Sequence, residues 1–115
     1  MLTFIESIGR QEGVLIPGSK AQRRNNPGNI EEGKFAQAHG ALPTDGDRFA
    51  AWATLEAGYA AMRALLTIGY LGLTVAEALN KWAPASENDV NTYLANVIRW
   101  TGMSADTILD ETNIG

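Results

Sequence analysis

The chain has 115 residues, nine Lys and Arg against thirteen Asp and Glu, and a formal charge of −4, which speaks against a nucleic-acid partner and its basic face. With 45% apolar residues it is long enough for one modest core, and a single domain over 1–115 is expected. It has no cysteine and one histidine, His39, which excludes a disulfide framework, a thiol nucleophile, thiolate zinc and a multi-histidine metal site.

Leu2, Ile5 and Ile8 recur at helical spacing, and Thr3 followed by Glu6 forms a capping box. A first helix is therefore expected over 4–12, stopping at Gly13. Residues 14–53 carry no helical period and are dense in turn signals: Pro17-Gly18, Asn26-Pro27-Gly28-Asn29, Gly33, Gly40, Pro43 and Asp45-Gly46-Asp47. Loops of this length in compact domains are commonly functional. Two very short strands are expected inside it, at 29–30 and 49–51.

Thr54 is a candidate N-cap with Glu56 behind it. Leu55, Tyr59, Met62, Leu66 and Gly69 then share one face of a helix that should end near Gly72. Thr74 and Glu77 make a second capping box, opening a helix through Trp82 that Pro84 terminates. The stretch Ser86-Glu87-Asn88-Asp89 opens a third helix with Val90, Tyr93, Leu94, Val97, Ile98 and Thr101 as its apolar positions and Gly102 after its end. Ser104 or Asp106 can cap a last turn carrying Ile108 and Leu109. The expected fold class is all-α, four to five helices with a long loop or minimal β-hairpin after the first. No run of about 20 apolar residues is present, so no membrane insertion is expected. The first residues lack the basic and long apolar regions of a signal peptide.

By elimination, chemistry would fall to carboxylates, amides, hydroxyls or tyrosines. Glu12, in Arg10-Gln11-Glu12-Gly13, stands at a helix end beside the apolar face and before the long loop. A carboxylate held against apolar side chains has its charged form disfavoured, as a general acid for glycoside hydrolysis requires. The alternative is a solvated helix-end glutamate. The asparagines of Arg23-Arg24-Asn25-Asn26-Pro27-Gly28-Asn29-Ile30 fit a tight turn, or a polar wall offering amides to a sugar, with the two arginines facing an anionic group or nearby acids. Trp52 can be core or a stacking surface, and Tyr93 core or site. Glu31, Glu32, Asp45 and Asp47 are each a possible second acid or a solvated carboxylate, His39 is expected exposed, and Glu87-Asn88-Asp89 reads as a solvated cap. Arg23, Arg24, Lys34 and Arg48 gather in the loop region, which allows a locally basic groove on an acidic chain.

The segment Ile8-Gly9-Arg10-Gln11-Glu12-Gly13 resembles the helix-end glutamate motif of the lytic transglycosylases and goose-type lysozymes. The segment Arg24-Asn25-Asn26-Pro27-Gly28-Asn29-Ile30 is similar to a signature of a compact phage and prophage branch of that superfamily. Phe49 and Trp52, Gly58, Trp82-Ala83-Pro84, Glu87-Asn88-Asp89 and Tyr93 follow in the same order, so the resemblance covers about 4–102. Gly13 stands where many relatives have serine, and a Gly-Leu-Met-Gln loop is absent.

The resemblance implies a lysozyme-like α fold and cleavage of the β-1,4 bond between N-acetylmuramic acid and N-acetylglucosamine in peptidoglycan. It implies Glu12 as catalytic acid/base, with no metal and no cofactor. Arg24, Asn25, Asn26, Asn29, Trp52 and Tyr93 are the substrate-binding candidates, and Tyr93 is similar to a tyrosine that approaches the glutamate in relatives. The partner is then a glycan strand met by a monomer, encoded by a phage or prophage and acting at the bacterial periplasm or wall. A non-catalytic lysozyme-like virion or glycan-binding module is the alternative, and a helical protein adaptor a third.

Overall fold

The computed structural model describes residues 1–44, 46–83 and 88–115. Among them the chain is mainly helical: α1 (Phe4–Gln11), α2 (Lys20–Arg23), α3 (Lys34–Ala38), α4 (Leu55–Gly69), α5 (Val75–Trp82) and α6 (Val90–Thr101). Two isolated antiparallel bridges, Glu31 with Phe49 and Thr74 with Ile108, are the β-structure seen among the described residues. The contacts divide the chain into two compact units, Ile8–Ala64 and Met1–Ser7 with Leu65–Gly115.

In the unit Ile8–Ala64, α1 stops where its sequence says it should. Gly13 takes φ 99°, its N–H reaches the Arg10 carbonyl at 3.2 Å, and the Val14 N–H reaches Gly9 at 3.0 Å. These are the paired bonds of a Schellman end, which make Glu12 the capping residue, one place beyond the last helical one. Its N–H still completes a helical bond to Ile8 at 2.8 Å. The following segment, expected as loop, holds two short helices, α2 and α3. Four and five residues are too few to display a 3.6-residue period. Ser19 caps α2, its hydroxyl accepting from the Gln22 N–H at 3.1 Å and donating to the Gly13 carbonyl at 2.6 Å.

No strand forms at the expected 29–30 and 49–51, and an isolated bridge makes a minimal hairpin there instead. Ala50 N–H bonds to Ile30 and Glu32 N–H to Arg48, at 3.0 and 2.9 Å, around the bridge of Glu31 and Phe49. Trp52, fully buried, donates its ring N–H to the His39 carbonyl at 2.9 Å and its backbone N–H to Arg24 at 2.8 Å. His39, expected exposed, is half-buried and packs its ring against Phe35 at 4.3 Å between centroids.

Thr54 caps α4 by accepting the Ala57 N–H at 3.1 Å. Met62 and Leu66 are buried on this helix, but Leu55, expected on the same face, is exposed at its first turn.

In the other unit, Thr74 and Glu77 form the expected reciprocal capping box of α5, at 2.8 and 3.1 Å. Asp89 caps α6 through the Thr92 N–H, and Gly102 closes it in the left-handed conformation at φ 75°. The expected helix opening at Ser86 and the stop at Pro84 lie outside the described residues, as does Glu87. No helical turn forms at Ile108 and Leu109. Ile108 instead pairs with Thr74, while Leu109 is buried and trades bonds with Gly72 and Leu73. The N-terminal strip is tied to this unit by Leu2 N–H to Trp100 and Ile5 N–H to Ile114, both 2.9 Å.

Candidate functional site

The site is built in the unit Ile8–Ala64 around Glu12. The carboxylate is half-buried, and its Oε1 accepts a hydrogen bond from Asn29 Nδ2 at 2.8 Å. The same amide nitrogen stands 3.4 Å from the Glu12 carbonyl oxygen, so one side chain faces both ends of the glutamate.

What carries Asn29 to this place is the loop that begins after α2. Asn25 and Asn29 both adopt positive φ, at 49° and 48°. Asparagine is among the few side-chain-bearing residues that enter this region without a large steric cost. Between them Asn26 is completely buried and its amide is fully engaged. Its Nδ2 donates to the carbonyls of Ile30 and Ala50, and its Oδ1 accepts the Ile30 N–H, all at 2.9 Å. Asn25 Nδ2 donates to the Trp52 carbonyl at 3.0 Å. Asn29 N–H then closes the turn on the Asn26 carbonyl at 3.1 Å.

Helix surfaces close on this loop through two glycines. A β-carbon at Gly58 would run into the Asn25 carbonyl oxygen, and would stand 2.9 Å from Pro27 Cδ. A β-carbon at Gly9 would meet the Tyr59 hydroxyl and Pro27 Cβ, the latter at 3.2 Å. α4 therefore approaches the loop backbone at Gly58, and α1 approaches the Pro27 and Tyr59 side chains at Gly9, roles that the sequence signalled only by glycine inside helical patterns.

The six substrate-binding candidates fall into different places. Asn29 is brought to Glu12. Asn25 is half-buried and spends its amide donor on Trp52. Arg24 is half-buried at the C-cap of α2, its carbonyl accepting the Trp52 N–H. Asn26 at 0% exposure and Trp52 at 1% present no surface to a ligand, which corrects their assignment to a substrate wall. The physical reason is alike for both: their polar atoms bond backbone groups, those of Ile30 and Ala50 for Asn26 and the carbonyl of His39 at the C-cap of α3 for Trp52. Tyr93 is 2% exposed on α6 in the other unit, the position of a core residue.

The four loop carboxylates also separate. Glu31 pairs with Arg48 at 3.1 Å, with both side chains more than 60% exposed, a geometry that adds little to stability. Glu32 accepts from Gln37 Nε2 and the Thr44 hydroxyl, each at 2.7 Å, and from the Gly33 N–H at 2.9 Å. These bonds, that to Gln37 foremost, hold its carboxyl below the ordinary value and so keep it ionised rather than proton-donating. Asp47 is exposed, and Asp45 lies outside the described residues.

Of the basic residues, Arg23 and Lys34 are exposed, and Arg23 Nε donates to the Gly18 carbonyl at 2.9 Å. Lys20 and Arg48 lie over the Phe49 ring, 4.1 and 5.0 Å from its centroid. This unit contains seven of the nine Lys and Arg against six of the thirteen acids, a formal +1, and the other unit, with two against seven, carries −5.

Among the described residues, no three His, Asp or Glu side chains gather as a metal site, and no helix is long and apolar enough to cross a membrane. The chain matches no protein-family model and no curated protein.

Proposed function

We propose that this chain is a glycosidase that cleaves peptidoglycan glycan strands at the β-1,4 bond between N-acetylmuramic acid and N-acetylglucosamine, with Glu12 as general acid/base. The observation that carries the reading is Glu12 itself: a half-buried carboxylate at a helix end, held by an amide from the Asn25-to-Ile30 loop. Those are the two sequence segments that resemble the lytic transglycosylases and goose-type lysozymes. The near-neutral charge of the unit that contains them also suits an anionic polymer better than the acidity of the whole chain does.

In this reading Glu12 gives its proton to the glycosidic oxygen as the bond breaks toward an oxocarbenium-like state. The resulting carboxylate then takes a proton from the incoming nucleophile. When that nucleophile is the muramoyl 6-hydroxyl, the product is a 1,6-anhydro sugar and one carboxylate suffices. The single-carboxylate route is the one we favour, because it asks for no acid beyond Glu12. The site of action would be the bacterial wall or periplasm, with a phage or prophage as the source of the chain.

The test is Glu12→Gln, which keeps the size of the side chain and its acceptor oxygen. Purified peptidoglycan is digested and the soluble muropeptides are identified by mass, which also separates anhydro from hydrated ends. Loss of general acid catalysis should lower release by about 100-fold or more. Release by this variant at the wild-type rate would refute the assignment, and no release by either protein would instead favour a non-catalytic glycan-binding module.

A further inference from the structure

Resting on Glu12 as the acid, we propose that Asn29 is its positioning residue, anchoring the carboxyl to the loop through Oε1. A turn asparagine ordinarily uses its Oδ1 to accept from its own chain. Asn26 does this, taking the Ile30 N–H. Asn29 does not: its Oδ1 is buried and accepts no hydrogen bond. An unsatisfied buried acceptor is unfavourable, so the orientation of this amide is set by what its other end gains. That gain is the bond from Nδ2 to Glu12 Oε1 at 2.8 Å, with the Glu12 carbonyl 3.4 Å away.

Two consequences follow for the carboxyl. Oε1 is therefore the oxygen that anchors the carboxyl to the loop. The anchor is also rigid. Asn29 is fixed at φ 48° and bonded to Asn26, whose own amide is saturated by the hairpin. A buried Oδ1 offers nothing to a sugar, so Asn29 acts through Glu12 rather than on the substrate.

Asn29→Gly keeps the backbone conformation and deletes the amide. Asn29→Asp keeps the shape but sets a carboxylate against a carboxylate. Turnover of soluble, uncrosslinked glycan strands is measured with kcat and KM resolved, alongside the thermal midpoint. Misplacement of a reacting group by an ångström costs about 100-fold, so kcat should fall by that order in Asn29→Gly while KM stays within about threefold. Asn29→Asp should fall at least as far. A kcat within about threefold of wild type, or a loss carried by KM, would overturn the proposal, the latter returning Asn29 to substrate binding.

A second measurement separates this outcome from failure of the glycosidase reading. The side-chain amide of Asn29 is followed by nuclear magnetic resonance in the wild type and in Glu12→Ala. One amide proton should exchange slowly in the wild type and lose that protection in the variant. Unchanged Asn29 amide signals would show that Glu12 does not hold this group, whether or not the protein cleaves glycan.

Discussion

Replacing Gly58 with alanine puts the packing around the loop to a quantitative test. Two effects of opposite sign compete. Gly58 sits inside α4, where alanine is favoured over glycine by about 1 kcal/mol on helix propensity alone. Against this, the added β-carbon would collide with the Asn25 carbonyl oxygen and lie 2.9 Å from Pro27 Cδ and 3.1 Å from the Asn25 carbonyl carbon. These are backbone and ring atoms, which cannot rotate away as the end of a flexible side chain can. Relief requires α4 or the loop to move, and overpacking of this kind costs about 1–3 kcal/mol. With the contact set by backbone, the upper end applies, leaving a net loss of about 2 kcal/mol. For 115 residues unfolding together, each kcal/mol shifts the midpoint by about 4 °C, so the expected fall is about 8 °C. Urea and thermal unfolding followed by far-ultraviolet circular dichroism measure it. Gly9→Ala serves as the comparison, because there the nearest atoms belong to side chains, Tyr59 and Pro27, and not to the backbone. Its loss should be smaller. A Gly58→Ala protein as stable as the wild type, or more so, would show that helix propensity outweighs the contact and that α4 does not rest on the loop backbone.

Asn26→Ala should cost about 3 kcal/mol in urea unfolding, because three hydrogen bonds to buried backbone groups are lost together. A loss below about 1 kcal/mol would mean that water replaces the amide and that the loop is not fixed by it. Stability should also depend on acid. The carboxyls of Glu77 and Asp89 are held below their ordinary values, chiefly by backbone N–H groups of Thr74 and Thr92, and that of Asp110 by the Thr112 hydroxyl first and then by the backbone N–H groups of Asn113 and Thr112. Folded values below the unfolded ones contribute stability that is present above the ordinary carboxylate range, about pH 4, and is lost as the pH falls through it and below. The thermal midpoint should therefore drop on acidification from about pH 6 to about pH 3, and Glu77→Gln should drop less. An acid-insensitive midpoint, or an unchanged slope in Glu77→Gln, would contradict this.

The helices that announce themselves are those with local signals strong enough to survive any tertiary context. The capping boxes at Thr3 and Thr74, the glycines closing α1 and α6, and the apolar stripe of α4 are of this kind. What escaped is short or long-range. The helices α2 and α3 each hold fewer than two turns, so no stripe can repeat. The local pattern at Ile108 suggests a terminal helical turn, but its pairing with Thr74 is a contact 34 positions away that no local pattern encodes. At the site, Glu12 was legible because it falls between a helical period and a glycine stop. Trp52 was not, since an aromatic in a loop gives no sign of which face it turns to. Its ring N–H partner, the His39 carbonyl, is a backbone group with no residue identity to read.

The asparagines are open to two readings at the level of sequence. A tight turn and a ligand wall both ask for side-chain amides and for tolerance of positive φ, so residue type alone cannot separate them. Position in the loop does. Asn25 and Asn29 need the left-handed backbone, which glycine would also supply, but glycine has no amide for Trp52 or Glu12. Asn26 must donate twice and accept once within a buried space. Aspartate has the acceptor without the donors, and lysine the donors without the acceptor. Asparagine is thus required three times for three different reasons. Only the third use, at Asn29, reaches a group that can carry a proton, and this links the loop's backbone geometry to the proposed chemistry of Glu12.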